Sequence, residues 1–446
     1  MVLDRVRLTT SLLKLDIDGL RRGIYSDKYF ENIVQVLQWA KEAGYTFKGN
    51  SPRDLPVDPS GFPVGDVEVE AQVFTRRSPF VLVAGMDVAL ALLRKVTGYY
   101  NATQFVETWN TLKIEAVNDG TLIHYDGHPE NVRPSLKIYG RYRDFAMLET
   151  PLLGILTRAS RIATNVYQVL QAAQGKPILY FPARFDLPEA QPIDGYAYWL
   201  AVQRYNAETG SQIRPFVSTD AQARWWGGRG GGTVPHSLIA CFLADTTEAM
   251  VAFAEYVPND VPRVVLADFN NDVIRDSLAT LKTFWDHYLA ALIANDTHAQ
   301  QRWTLYGVRL DTSANMRDVA VEPDGEKGVS PQLVRLTRQA LDQAWESWGV
   351  SQQWVDAARD YCRRVKIVVS GGFSAARIAE FEAQKVPADI YGVGSSLLRN
   401  ADDVSTDYTM DIVRVKVHDQ WIDIAKTGRR PNTNPDLKPI DLSFWS

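Results

Sequence analysis

Along the first third of the chain the spacing of apolar residues changes several times, and each spacing predicts a different element. Phe30, Ile33, Val34 and Leu37 recur at intervals of one to three, which puts one stripe of a helix inward. Ser26 or Asp27 is the expected N-cap and Gly44 the stop. Asn50 to Gly65 carries four prolines and predicts turns. Val67, Val69, Ala71 and Val73 then alternate with Glu68, Glu70 and Gln72, the pattern of a half-buried strand. A helix is expected from Pro79 to Thr97, then short strands within Leu112–Val117, Thr121–Tyr125 and Leu136–Tyr142. This is an α+β unit of about one domain's length.

After Phe145 the rhythm becomes helical patterns alternating with short, wholly apolar runs. Ile178–Phe181, Val264–Ala267, Leu305–Val308 and Ile367–Val369 are such runs, and Ala388–Tyr391 closes the series. Apolar runs without alternation suit parallel strands buried on both faces. The clearest intervening helix runs from the N-cap Ser330, with Pro331 at its first position, to Trp348 and the stop at Gly349. Repeated strand–helix units imply an α/β barrel or a doubly wound sheet. A strand-like run, Ile412 to Val417, returns in the tail.

Composition narrows the class. The 446 residues are 46% hydrophobic and 23% charged, which excludes disorder for most of the chain. A net charge of -5 argues against nucleic acid as a partner. The longest apolar patch, Phe80 to Leu93, is broken by Gly85 and Asp87 and is too short to span a membrane. Met1–Arg7 has no signal-like apolar stretch, and Cys241 and Cys362 cannot build a disulfide framework, so the expected setting is cytoplasmic. No His/Cys spacing predicts a zinc site, so no metal ligands are assigned. Twelve tryptophans stand out: Trp345 and Trp348 are expected in the core, and Trp225 and Trp226 in a Gly-rich loop.

In a barrel of parallel strands, chemistry gathers where strands end and helices begin. Ser370-Gly371-Gly372 follows one apolar run, and Gly392-Val393-Gly394-Ser395 follows the next. Glycines let backbone N–H groups approach an anion, and a helix start adds partial positive charge, so two such loops in succession predict a phosphate cup. Arg309 and Asp311 are two apart on a strand and face one way. They either hold an anionic substrate and a sugar hydroxyl, or simply pair with each other. Asp268, ending its run, either addresses ribose or Mg²⁺-bound water, or caps the following helix. His236 follows the Gly-rich loop Gly227–Gly232 with Arg229; its alternatives are a site residue and a structural histidine.

These same segments resemble the nicotinate phosphoribosyltransferase family. The resemblance rests on Val369-Ser-Gly-Gly-Phe373, Ala388 to Ser396, Ser26-Asp-Lys-Tyr-Phe30, Gly140-Arg-Tyr-Arg-Asp-Phe145 to Thr150, Gly232-Thr-Val-Pro-His236 and Val308-Arg-Leu-Asp-Thr312, in the family's order. It implies a type II phosphoribosyltransferase. The fold would be an α/β barrel over 144–399, irregular in form. An N-terminal α+β open-sandwich domain, residues 1–143, would be completed by 400–446. The implied reaction joins nicotinate to phosphoribosyl pyrophosphate, yielding nicotinate mononucleotide and pyrophosphate, with Mg²⁺ at the leaving group and ATP hydrolysis often coupled. A homodimer sharing its active sites is implied as well.

By the same resemblance, Tyr29 from the neighbouring subunit and Phe181 would sandwich the pyridine ring, and Arg309 would face the carboxylate. Gly371, Gly372, Gly394 and Ser395 would cup the 5′-phosphate together with Ser370 and Gly392. Asp268 and Asp311 would address the ribose, Arg141 the pyrophosphate side, and His236 would be the residue phosphorylated by ATP. Where the family carries Phe-Gly-x-Arg-Arg, this chain has Phe181-Pro-Ala-Arg184-Phe185, one arginine fewer, with Arg184 retained as a substrate-side cation. The family's Gly-Gly-x-x-Gly-Thr-Ser-Asn stretch is missing, and Trp199–Asn206 and the Trp225–Gly230 insertion stand instead. Other readings stay open: nicotinamide or quinolinate as the base, or a non-catalytic phosphosugar-binding protein.

Overall fold

The protein is described by a computed structural model covering residues 6–401 and 405–445. The first five residues of the Met1–Arg7 stretch and part of the tail of the first domain therefore lie outside the described residues. The chain divides into two compact units, one of residues 1–167, 196–207 and 399–446, the other of 168–195 and 208–398. Relative to a boundary at 143/144, the structure counts 144–167 and 196–207 with the first unit.

The first unit is built on a six-stranded antiparallel sheet, in the order Gln420–Asp423, Tyr408–Val417, Glu68–Thr75, Leu136–Arg141, Lys113–Ala116, Lys438–Pro439. Three of these strands come from the tail, so the N-terminal sandwich is completed by the C-terminus. The strand Glu68–Thr75 is not half-buried. It lies centrally, paired on both sides, and Glu70 and Gln72 are buried with their apolar neighbours. Alternation identified an apolar face but could not show that the polar face is covered too. There Glu70 takes hydrogen bonds from Lys137 Nζ (2.8 Å) and Arg414 Nη1 (2.9 Å). The Gln72 amide meets the backbone of Arg430 and Asn432.

The helix expected at 79–97 is shorter. Phe80–Leu82 is a strand paired with Leu122–His124, and the helix is Met86–Val96. Gly85 separates them at φ +88°, a left-handed conformation open to glycine. The helix near the start is Lys28–Glu42; Asp27 stands at its N-cap position but its side chain makes no capping bond, and Phe30, Leu37 and Ala40 are buried.

The second unit holds six parallel strands, in the order Arg263–Leu266, Leu305–Leu310, Lys366–Val369, Ile390–Val393, Ile178–Tyr180, Phe216–Val217. Helices Val273–Ile293, Pro331–Gln343 and Ala375–Ala383 lie in the crossovers, because parallel neighbours need a long connection. The result is an irregular, open half-barrel. Its inner face carries Val264, Val368 and Ile390 as a buried cluster, with Leu179 packed against it. On the outer helices Trp348 is half-buried and stacks on the buried Trp285, ring centroids 5.7 Å apart. Among the described residues no helix is long and apolar enough to cross a membrane.

Candidate active site at the strand ends

Twelve of the residues singled out in the sequence belong to the second unit, most of them at the C-terminal ends of its strands. Register puts Arg309 level with Val368, and Val368 level with Ile390, so their side chains share the inner face. Two residues further along the same strands come Asp311, Ser370 and Gly392. Arg309 Nη2–H donates to Asp311 Oδ2 (2.9 Å), and Arg309 Nε–H donates to Ser370 Oγ (2.9 Å). The Ser370 hydroxyl donates to Asp311 Oδ1 (2.7 Å). The salt bridge and the shared face are thus both real, and the triangle holds the guanidinium in one orientation.

Phe181 ends the adjoining strand. The Arg309 guanidinium carbon lies 5.3 Å from its ring centroid, a cation–π distance, and Phe216 meets the ring edge-on at 6.0 Å. Gly392 is required here: a Cβ would come within 2.9 Å of the Phe181 ring and 3.1 Å of Ser370 Cβ. Arg184 follows on a short turn, with its guanidinium against Phe185, and the Phe185 ring would lie 2.9 Å from a Cβ on Gly394.

The two glycine loops are tied together. Ser396 Oγ–H, just past Ser395, donates to the carbonyl of Phe373 in the first loop (2.7 Å). Gly371 and Gly372 take φ of +88° and +78°, which a side chain would strain. Ser374 caps the helix Ala375–Ala383 by accepting from Arg377 N–H. Arg377 in turn braces the loop, with Nη1 on the Gly371 carbonyl (2.9 Å) and Nη2 on that of Val329 (2.7 Å). The buried Thr312 hydroxyl, beside Asp311, has no hydrogen-bond partner among the described residues.

His236 opens the helix His236–Cys241, and its Nε2 lies 3.0 Å from Asp268 Oδ1. Asp268 is not the cap of the next helix. Asp272 is, accepting from Arg275 N–H, which leaves the Asp268 carboxylate to the histidine. Burial holds the Asp268 carboxyl above its ordinary pKa. His236 opposes this shift, and the neighbouring charge of Asp311 adds to it.

Tyr29 and Arg141 belong to the first unit. Arg141 is engaged there, with Nε and Nη2 on Asp144 and Nη1 on Asp66 (3.3 Å). Tyr29 is more than half exposed, its hydroxyl 3.3 Å from Asp27.

Sequence reasoning missed Phe216 and Arg377; it singled out the segment Gly231–His236 but not its position, where Gly231–Pro235 lines a cavity of about 280 Å³ with Phe181, Phe216 and Arg309. The glycine run hinted at a loop, but its place depended on Gly231 N–H pairing with the Val217 carbonyl (2.8 Å). Trp226 does not line this cavity; its indole N–H caps the Gln222 carbonyl (3.0 Å).

Comparisons with known proteins bear on the fold that carries these residues. Residues 63–160 match the family described as quinolinate phosphoribosyl transferase, N-terminal domain. The fold is similar to the crystal structure of nicotinate-nucleotide pyrophosphorylase from Pyrococcus furiosus, with a TM-score of 0.61 and 24% identity, covering 93% of this chain and 80% of that one. It is also similar to human nicotinic acid phosphoribosyltransferase, with a TM-score of 0.50 and 16% identity, covering 88% and 75%. The chain therefore shares its fold with these two proteins, and its residues 63–160 match the quinolinate phosphoribosyl transferase N-terminal domain.

Proposed function

We propose that this protein joins nicotinate to phosphoribosyl pyrophosphate, producing nicotinate mononucleotide and pyrophosphate. The observation that carries the reading is a single, oriented cation, Arg309, beside the aromatic wall of Phe181 and next to two linked glycine loops. Among the described residues, Arg309 is the only charged one lining the cavity. One cation suits one carboxylate; quinolinate, with two, would call for a second.

In this reading Phe181 and, in a homodimer, Tyr29 of the partner subunit hold the pyridine ring. The loops at Gly371–Gly372 and Gly392–Ser395 take the 5′-phosphate on backbone N–H groups. The pyridine nitrogen is already nucleophilic, so no base is needed to deprotonate it. The barrier is departure of pyrophosphate from C1 through an oxocarbenium-like state. Asp311 and Asp268 face that developing positive charge. Burial raises the Asp268 pKa, with a smaller addition from the Asp311 charge, and a carboxylate so placed suits a hydrated Mg²⁺ bound jointly with substrate phosphates. Among the described residues no group of three or more His, Cys, Asp or Glu forms a self-sufficient metal site. When bound, Mg²⁺ would neutralise charge on the leaving pyrophosphate. Coupling to ATP is assigned to His236, which Asp268 orients for accepting a phosphoryl group.

A second reading has one observation in its favour. Asp311 already neutralises Arg309, which suits a neutral amide such as nicotinamide. The deciding experiment incubates the purified protein with phosphoribosyl pyrophosphate and Mg²⁺, offering nicotinate, nicotinamide and quinolinate in turn, with and without ATP. Pyrophosphate release that depends on nicotinate supports the proposal. Tight binding of phosphoribosyl pyrophosphate with no turnover of any base would replace it with a non-catalytic phosphosugar-binding role. Without acid-labile phosphate on His236 after ATP, the coupling role fails.

A further inference from the structure

The inner cavity, of about 280 Å³, is lined from the strand ends inward along the strands. Its lining runs along one strand from Arg309 down to Tyr306, a rise of about 10 Å for three residues. Pro262 flanks the Tyr306 end, while Leu179, Val264, Val368 and Ile390 form apolar walls along the way. In closed barrels this interior is filled by stacked layers of side chains. Here the second and third strands approach closely: Gly307, between Tyr306 and Arg309, faces the neighbouring strand, where a Cβ would press to 2.8 Å from the Lys366 carbonyl oxygen. The register between the first two strands slips at this point: Arg263 pairs with Leu305 and Val264 with Gly307, so Tyr306 is the extra residue of a bulge. Gly231 and Gly232 line the open side without side chains. Among the described residues, the polar side chains lining it are those of Arg309, Tyr306, Ser218 and Thr233.

We propose that the base site takes a ring-extended aromatic acid, a pyridine carboxylate enlarged by fused or apolar substituents on the edge away from its nitrogen, rather than bare nicotinate alone. This rests on the phosphoribosyltransferase reading above. The carboxylate pairs with Arg309, the nitrogen faces the glycine loops, and the added ring removes apolar wall from water toward Tyr306. A small base leaves that length unfilled, and burying further ring carbons there strengthens binding. Growth next to the nitrogen is excluded, because it would block attack on C1. The transferred group and the bonds exchanged are the same as with nicotinate: C1–N forms, C1–O to pyrophosphate breaks.

The test compares nicotinate with isoquinoline-4-carboxylate, in which a second ring is fused on the edge away from nitrogen. Pyrophosphate release at saturating phosphoribosyl pyrophosphate gives kcat/KM for each. The expected result is at least a ~10-fold lower KM for the bicyclic acid, and a Val368→Phe variant that reverses this preference. Turnover of nicotinate with no binding or turnover of the bicyclic acid overturns the inference while leaving the reaction class intact. Turnover of neither acid rejects both. Should Val368→Phe fail to fold, as read by its thermal transition, Ile390→Met serves as the second variant narrowing the same channel. An unchanged preference in a folded variant counts against the inference.

Discussion

Arg309 and Asp311, two positions apart on one strand, point the same way and meet at 2.9 Å, with Ser370 bonded to both. The guanidinium is thereby fixed, and its remaining N–H groups have a defined direction. Arg309→Lys keeps the charge but loses the planar fork. It should raise the KM for an acid substrate by roughly 10-fold or more, about 1.4 kcal/mol, with little change in kcat. Steady-state kinetics on the proposed reaction check this, and an unchanged KM removes Arg309 from the carboxylate seat.

Gly392 backs both Phe181 and Ser370. Gly392→Ala must push the aromatic wall or the serine aside by several tenths of an ångström. The predicted effect is a loss of ~10- to 100-fold in kcat/KM, since misplacement at a reacting site is costly. The thermal transition should fall too, by an overpacking cost of about 1–3 kcal/mol. Full activity in Gly392→Ala would show that neither neighbour needs its position.

Glu149, in the first unit, is pushed up to about 7 by burial, with the charges of Asp411 and Asp27 adding to it. A carboxyl whose folded pKa lies above its unfolded value of 4.5 binds its proton more tightly in the native state. Its favourable contribution is complete below pH 4.5 and is lost as pH rises through about 7. Glu149→Gln should therefore be more stable than the parent at pH 8, by about 1–2 kcal/mol after discounting for solvent screening, and equal to it at pH 4. Denaturant melts at the two pH values decide; a gap of the same size at both would mean that ionisation is not the cause.

Lys137 and Glu70 are almost wholly buried and 2.8 Å apart. Arg414, the other partner of Glu70, is partly exposed. Removing Lys137 leaves a buried carboxylate with its weaker partner alone. Lys137→Ala is predicted to cost about 3 kcal/mol of unfolding free energy, whereas Lys137→Met together with Glu70→Gln should cost less. Urea unfolding of the single and double variants measures the difference.

The sequence alone located five of the six parallel strands of the second unit, because strands buried on both faces must be apolar throughout; Phe216–Val217, two residues long, left no such run. It also located the polar residues at their ends: Asp268, Arg309, Asp311, Ser370 and the glycines all lie where the apolar runs stop. The tail's part in the first sheet came from the family resemblance; its periodicity indicated only a strand.

Tertiary structure decided what those residues touch. His236 meets Asp268 from 32 positions away, and Ser370 meets Arg309 from 61, through strand register that no local pattern encodes. Glu70 and Gln72 looked solvent-facing, yet the neighbouring strand and the tail cover them. The hollow that Arg309 and Tyr306 line lies along a bulged strand and is closed by a distant loop. Periodicity reports how one face of one element is dressed. Which surface closes over the other face depends on packing between elements far apart in the chain.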